Sequence, residues 1–473
     1  MLALDVGLIL CICLLGVLVV KITLGRAQVL DYLGLALPIG GGLLTWFLFL
    51  VSILGIPLTP LVIVVIYGAL CACAAFLAVR RAPGALARAA AAERPIAVGP
   101  VILLAGGLLL ALGLFSLGLA VGRSYSTYDA AAGWAVKGYG IGLEGSVLAA
   151  DRWGTWGRAY PLNLSLQIGL FSIFDGDLLP GSKLLFPLQY ASLIAGIFQF
   201  WRRQGVDSRL AAVGLLFLAS NPLVFLHSTL GLANLLFGVY FALGTLWLAE
   251  GLVLDEQRFQ WMGALLLAIG CWTRAEGIAY TLALVAALGL CTWGFRWGRP
   301  RRLTFLLPIA LAVGTWFPFS WGGVAGSHLG IAMGGFVDRV LAGQLNARYL
   351  METIRLYVVR GMDSSNLGFL LPSLIFLLGL GLVRFRPSRQ PLVAMLLVGS
   401  MIAAAMPVLL FYIRSFTRWE DFTELLIRSF DRATLPAIFM IVATAILLFN
   451  ASWNPRSRAS GGSGPLDDRL SIG

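Results

Sequence analysis

Between Val121 and Lys183 the chain gathers Asp129, Trp134, Lys137, Glu144, Asp151, the Tyr160-Pro161-Leu162 triplet and Asp175-Gly-Asp177. Carboxylates of this kind serve as general bases when held beside a reacting hydroxyl. Asp175 and Asp177 have the spacing of paired acids that hold a divalent metal beside phosphate, although two acids around a glycine are more often turn residues. Asp129 stands before the helix formers Ala130 to Lys137, so its oxygen is suited to capping that helix. One carboxylate can cap a helix and also face a cavity. Trp134 and Lys137 have the character of an interfacial aromatic and a snorkelling cation.

Two further groups carry charge. His227 and Asn234 fall close together, and Arg274-Ala-Glu276-Gly277 places opposite charges two positions apart, a pair that could hold a tight hairpin. Arg414, Arg418, Asp421, Leu425, Arg428 and Arg432 recur at spacings of 4, 3, 4, 3 and 4, which is one face of a helix. As a single helix that face would run about 27 Å. It suits an interfacial helix drawn to anionic head groups, and it also suits one or two arginines that hold a phosphate in the planar fork of the guanidinium. Residues 337–358 form a weaker amphipathic stretch with Arg339, Arg348 and Arg355.

The elements that must position these residues are membrane helices. Hydrophobic residues make up 59% of the chain and charged residues 12%, and mean hydropathy is +0.90. Apolar runs of about 18 residues or more, without period-two alternation, cross a bilayer as helices because helices satisfy their own backbone. We expect about 13 crossings, at 3–22, 34–54, 60–80, 97–121, 183–200, 209–226, 230–249, 258–273, 276–293, 303–321, 366–384, 391–413 and 434–451. The first run has no basic n-region and carries Asp5, so it reads as a span and not as a cleaved signal. The division we expect is a three-helix section at 1–96, a catalytic module at 97–451 and a largely disordered tail at 452–473. The net charge of +12 sits on arginines scattered through short loops, so it reflects topology and not nucleic acid. Cys11, Cys13, Cys71, Cys73, Cys271 and Cys291 lie in or beside apolar segments and read as small buried residues.

Four basic loops carry Arg80/Arg81/Arg88/Arg94, Arg202/Arg203/Arg209, Arg296/Arg299/Arg301/Arg302 and Arg384/Arg386/Arg389. The expected spans put all four on one side, which the positive-inside rule makes cytoplasmic. Loops 122–182, 322–365 and 414–433 then face outward, with the C-terminus inside.

In order, Tyr128-Asp129, Trp134, Lys137, Tyr160-Pro161-Leu162, the Asn234 hairpin, Arg274-Ala-Glu276-Gly277 and Asp431-Arg432 before Pro436 resemble the GT-C superfamily of polytopic glycosyltransferases. The likeness is to the bacterial group related to protein and lipid A sugar transferases, and it covers roughly residues 97–450. It implies an all-α fold with outward juxtamembrane helices in the first long loop. It also implies transfer of a sugar, with inversion, from a polyprenyl-phosphate donor to a lipid, glycan or protein acceptor at the outer face of the plasma (inner) membrane. Asp129 would be the catalytic base. Lys137, Arg274, Arg414, Arg418, Arg428 and Arg432 would be candidates for the donor phosphate, and Tyr128, Trp134, Tyr160, His227, Asn234 and Glu276 for the rest of the substrate site. No cofactor would be required; a divalent metal, if used, would fall to Asp175 and Asp177.

The chain departs from that group in three ways. Asn234 stands where an acid is common, Arg274 lies two positions before Glu276 where a lysine is usual, and we expect no soluble outward domain of the kind that many relatives append. A polymerase or ligase of the O-antigen type shares the need for a base and outward arginines. A transporter or flippase of lipid-linked glycans would instead carry charge at the membrane midplane, whereas here charge concentrates in loops.

The orientation has a direct test. Single cysteines placed at Asp129 and Arg301 should be labelled by an impermeant maleimide from opposite sides of sealed vesicles. Labelling of both from one side would undo it.

Overall fold

The computed structural model describes residues 2–25, 27–80, 99–154, 157, 160–176, 181–294, 303–325, 328–343, 346–363, 370–383, 385, 390–415, 429–430 and 432–453. Within them lie eighteen α-helices and, among the described residues, no strand. The helices are α1 (Leu2–Leu24), α2 (Val29–Ile53), α3 (Pro60–Arg80), α4 (Pro100–Gly122), α5 (Val136–Glu144), α6 (Asn163–Asp175), α7 (Leu185–Arg203), α8 (Ser208–Ala219) and α9 (Pro222–Leu230). They continue with α10 (Ala233–Val253), α11 (Gln257–Thr273), α12 (Glu276–Gly294), α13 (Leu307–Ala325), α14 (His328–Leu341), α15 (Ala347–Met362), α16 (Leu370–Leu382), α17 (Pro391–Ser415) and α18 (Leu435–Trp453).

Among the described residues, ten helices are long and apolar enough to cross a membrane, or eleven if the bent pair α8–α9 is one span. The chain is a multi-pass helical membrane protein. Every expected span has a helix at its place, but three depart from a straight crossing. The span expected at 209–226 breaks where Pro222 cannot donate to the ladder and Asn221 caps the new helix through its side-chain oxygen. The two halves bend by 60°. Helix α11 has 17 residues and α16 has 13, so they rise about 26 Å and 20 Å against roughly 30 Å of hydrocarbon. The weaker amphipathic stretch forms parts of α14 and α15.

Residues 2–80 pack into the rest of the molecule. Gly16 and Gly40 bring α1 and α2 so close that a β-carbon at either would collide with the other helix's backbone, at Ala36 and Ile12. Small residues at such crossings let dispersion contacts and backbone approach hold helices together in lipid. Gly34 of α2 meets Gly196 of α7 in the same manner. The sequence division at residue 96 therefore coincides with no gap between α2 and the helices that follow. At one end of the bundle Arg203 joins α7 to α2 and α10, with 2.8 Å to Asp31 and 2.9 Å to Glu250, and stacks 3.9 Å above the Trp247 ring.

Helix α6 follows Tyr160-Pro161-Leu162 and is buried along Asn163–Ser172. A segment of 13 residues cannot span; it docks by exchanging polar groups with two helices, α2 and α11. Asn163 donates to Thr273 at 2.8 Å, and its carbonyl oxygen accepts from Thr45 at 2.7 Å and from Gln167 at 2.9 Å. This fixes the start of α6 against the end of α11. Replacement of Asn163 by leucine keeps the bulk and removes all three bonds, and a buried polar group left unmet costs about 1–3 kcal/mol. The Asn163→Leu protein should melt several degrees below wild type in detergent, read by intrinsic fluorescence. An unchanged melting temperature would show that the bonds carry no net stability.

Candidate functional site

Helices α10, α11, α12, α17 and α18 and the segments that carry Asp129, Tyr160 and Arg432 meet at the bundle end opposite the Arg203 cluster. The connection after α4 does not enter an ordinary helix: Asp129–Ala135 is a π-helix, continued as α5. Its wider turn is the kind of backbone departure common at functional positions. The helix-capping role expected of Asp129 is taken by Thr127, whose hydroxyl accepts from the Ala130 amide at 3.2 Å. Asp129 is left for another partner, the guanidinium of Arg432 just before α18.

That ion pair lies in the wall of a cavity of about 280 Å³. Asp129, Trp134, Tyr160, Asn234, Arg274, Glu276 and Arg432 all line it. Tyr160 reaches it from the extended stretch before α6, and its ring stands edge-on to Trp134 at 5.9 Å. Asn234 is in the first turn of α10 and donates through Nδ2 to the Arg432 carbonyl at 3.1 Å. Arg274 ends α11 in extended backbone and pairs with Glu276, the first residue of α12, at 3.2 Å. A β-carbon at Gly277 would run into the Gly270 carbonyl, so only glycine lets α12 turn back this tightly and hold the pair in place. Burial pulls the Arg274 guanidinium down, but the charges of Glu276 and Tyr160 beside it outweigh that and leave it raised.

The electrostatics suit an anion. Helices α10, α12 and α18 all begin here, and helix starts carry partial positive charge on free amides. Two guanidiniums add full charges, each presently matched by a carboxylate. Burial lowers the pKa of Arg432 below the ordinary guanidinium value, which makes a close counter-charge more valuable there.

Several expected site residues stand elsewhere. Tyr128 is 69% exposed and does not line the cavity. His227 is buried in α9, and its Nδ1 has no partner among the described residues. It lies outside the cavity lining. Asp175 closes α6, also outside the lining. Asp177, Arg418, Asp421, Arg428 and the Arg414 side chain lie outside the described residues. Of the expected arginine face, Arg432 alone can be placed at the cavity.

Lys137 is a correction in kind. It is wholly buried and absent from the lining; its ammonium donates to the Gly157 carbonyl at 2.9 Å and sits 5.7 Å from the Trp134 ring centroid. A snorkelling side chain would reach water, whereas this one turns inward under the loop that follows α5. It supports the far face of Trp134 and offers no charge to the cavity.

Seven lining residues were not singled out from the sequence: Phe237, Tyr280, Pro407, Leu410, Phe411, Ser429 and Ala433. Helical spacing could have found some, since Tyr280 is one turn from Glu276 and Phe237 nearly one turn from Asn234. Pro407, Leu410 and Phe411 give no such signal, being apolar residues in an apolar span.

Fold and site together define a polytopic helical membrane protein with a charged cavity at one end of its bundle. No family model matches the chain, and no curated protein matches it. Among solved structures, the chain is similar to ArnT from Cupriavidus metallidurans bound to undecaprenyl phosphate. Identity is 15% and the TM-score 0.46, over 76% of this chain and 62% of that one. The chain thus spans less than two thirds of that protein's length.

Lys137 predicts a pH effect. Burial lowers its pKa from 10.5 to about 8, opposed by the nearby Asp151 charge. Between those values the unfolded chain holds more protons than the folded one, so stability should rise with pH across that window, by up to about 3 kcal/mol. Below about pH 8 the full cost of the buried charge is present. Melting curves in detergent from pH 7 to 10 should show this rise in wild type and lose it in Lys137→Met. Parallel pH profiles for the two proteins would contradict the assignment.

Proposed function

We propose that the protein is a membrane glycosyltransferase that moves a sugar from a polyprenyl-phosphate donor to an acceptor hydroxyl or amine, with inversion. The observation that carries this reading is the Asp129–Arg432 pair, set in one cavity with Arg274 and Glu276. A base and phosphate-binding cations, from segments far apart in sequence, meet in a cavity with aromatic walls. The order of motifs from Tyr128 to Pro436, which resembles the GT-C superfamily, supports the same reading.

The pairing suggests how the base is released. A donor phosphate is a dense anion matched to the guanidinium fork. On entering, it takes Arg432 and Arg274 as partners, and Asp129 loses its counter-ion. The freed carboxylate accepts the acceptor proton as the acceptor atom attacks the anomeric carbon from the face opposite the phosphate. The bond from that carbon to the phosphate oxygen breaks, and its electron pair leaves with the polyprenyl phosphate. The guanidiniums and the helix starts stabilise the charge that develops there. In this scheme the positive charge comes from side chains, and no metal is assigned a step. The four basic loops support placing the cavity at the extracytoplasmic face of the plasma membrane, with the C-terminus cytoplasmic.

The decisive experiment is transfer by purified protein from a panel of polyprenyl-phosphate sugars. Asp129→Asn should lower kcat by roughly 10²–10⁴-fold, the usual worth of a general base. Arg432→Gln and Arg274→Gln should each lower it by about 10²–10³-fold, as when one charge-stabilising donor is lost. Full activity in a well-folded Asp129→Asn protein would remove the base from the scheme.

A further inference from the structure

Asn234 holds an acceptor that nothing in the protein uses. The residue is 4% exposed and lines the cavity. Its Nδ2 donates to the Arg432 carbonyl at 3.1 Å, which settles which end of the amide is which. The other end, Oδ1, is buried and has no hydrogen-bond partner among the described residues. Native proteins rarely leave such an oxygen unmet, and where they do the missing partner is commonly a ligand or water.

The charges around it narrow the ligand. Among the described residues, the carboxylates that line the cavity are Asp129 and Glu276, and each faces a guanidinium. A hydroxyl suits the Asn234 oxygen, because it needs a neutral acceptor and no counter-charge. Asn234 lines the same cavity as Arg432, which takes the donor phosphate in the reading above, so the group borne by that phosphate shares the cavity with it.

On that reading, we infer that Asn234 is a specificity residue for the transferred group: its Oδ1 accepts a hydrogen bond from a hydroxyl of the sugar. An aspartate at this position would keep an acceptor and add a charge that suits an ammonium. A leucine would keep the bulk and remove the acceptor.

The test measures donor affinity and turnover separately. Binding of polyprenyl-phosphate donors is followed by quenching of tryptophan fluorescence in nanodiscs. The panel is a neutral sugar, its single-deoxy analogues and the matching amino sugar. Wild type should bind the neutral donor roughly 10- to 100-fold more tightly than one of the deoxy donors. In Asn234→Leu that preference for the hydroxyl should vanish, with the deoxy donor bound as in wild type. Asn234→Asp should shift preference toward the amino donor, which keeps the inference testable if the leucine protein fails to fold.

A uniform loss across all donors would reduce Asn234 to a support for Arg432 and overturn the inference. Equal binding of the neutral donor and all its deoxy analogues by wild type would overturn it too. Transfer without the hydroxyl preference would sink this inference and leave glycosyl transfer standing. The preference without any transfer would do the reverse, and no binding of any donor would remove both.

Discussion

A guanidinium and a carboxylate taken out of water each lose several kcal/mol of solvation, and they recover it only by meeting in good geometry. That constraint governs where charge can sit in this chain. At one end Arg203 meets Asp31 and Glu250, and at the other Asp129 meets Arg432 and Arg274 meets Glu276. Each pair joins segments that the apolar effect alone would not hold in register, because lipid tails are as apolar as the spans themselves. The Arg203 cluster ties three helices through a cation stacked on Trp247, and nothing there borders the cavity. The Asp129 pair joins the π-helix to the start of α18, and that closure gives the cavity two of its walls.

Between the charged ends, neutral polar groups carry the alignment. Asn163 reaches Thr45 of α2 and Thr273 of α11 in one step, and Thr273 is the residue before Arg274. The Tyr160 ring, three residues ahead of Asn163, is thereby referenced to the Arg274–Glu276 turn. Tyr240 donates to the Pro38 carbonyl at 3.0 Å, so the proline inside α2 supplies an acceptor to α10. The cavity residues thus rest on a rigid layer beneath them.

Much of this was legible because lipid makes charge scarce. With so few ionisable groups, Asp129, Arg274, Glu276 and Arg432 stood out by type alone, and the spans that set their common end follow from length and hydropathy. What could not be read was direction within a loop. Lys137 looked like Asp129's companion, about two turns along one helix pattern, yet the shift from π to α winding turns it under Trp134 instead. Nor does a sequence distinguish Asn221-Pro222 as a 60° bend from an ordinary turn between spans. Pro407, Leu410 and Phe411 of α17 complete the apolar wall, and their neighbours in the same helix have the same chemistry while facing elsewhere. Which face of an all-apolar helix meets a cavity is decided by packing and not by pattern.

In the proposed reaction, mutual neutralisation of Asp129 and Arg432 also bears on chemistry. A free carboxylate in a cavity near lipid would draw water or a proton, and either would blunt it as a base. Held by Arg432, it is occupied by a counter-ion. The donor phosphate, and not the acceptor, competes for that guanidinium, so the base is uncovered only once the group to be transferred is in place. Water is small enough to enter at any time, but before the donor arrives there is no anomeric carbon for it to attack. Afterwards the cavity holds a sugar against Trp134, Tyr160 and Asn234, with the acceptor side left open toward Asp129. The order of binding would then follow from the ion pair itself, without a moving lid.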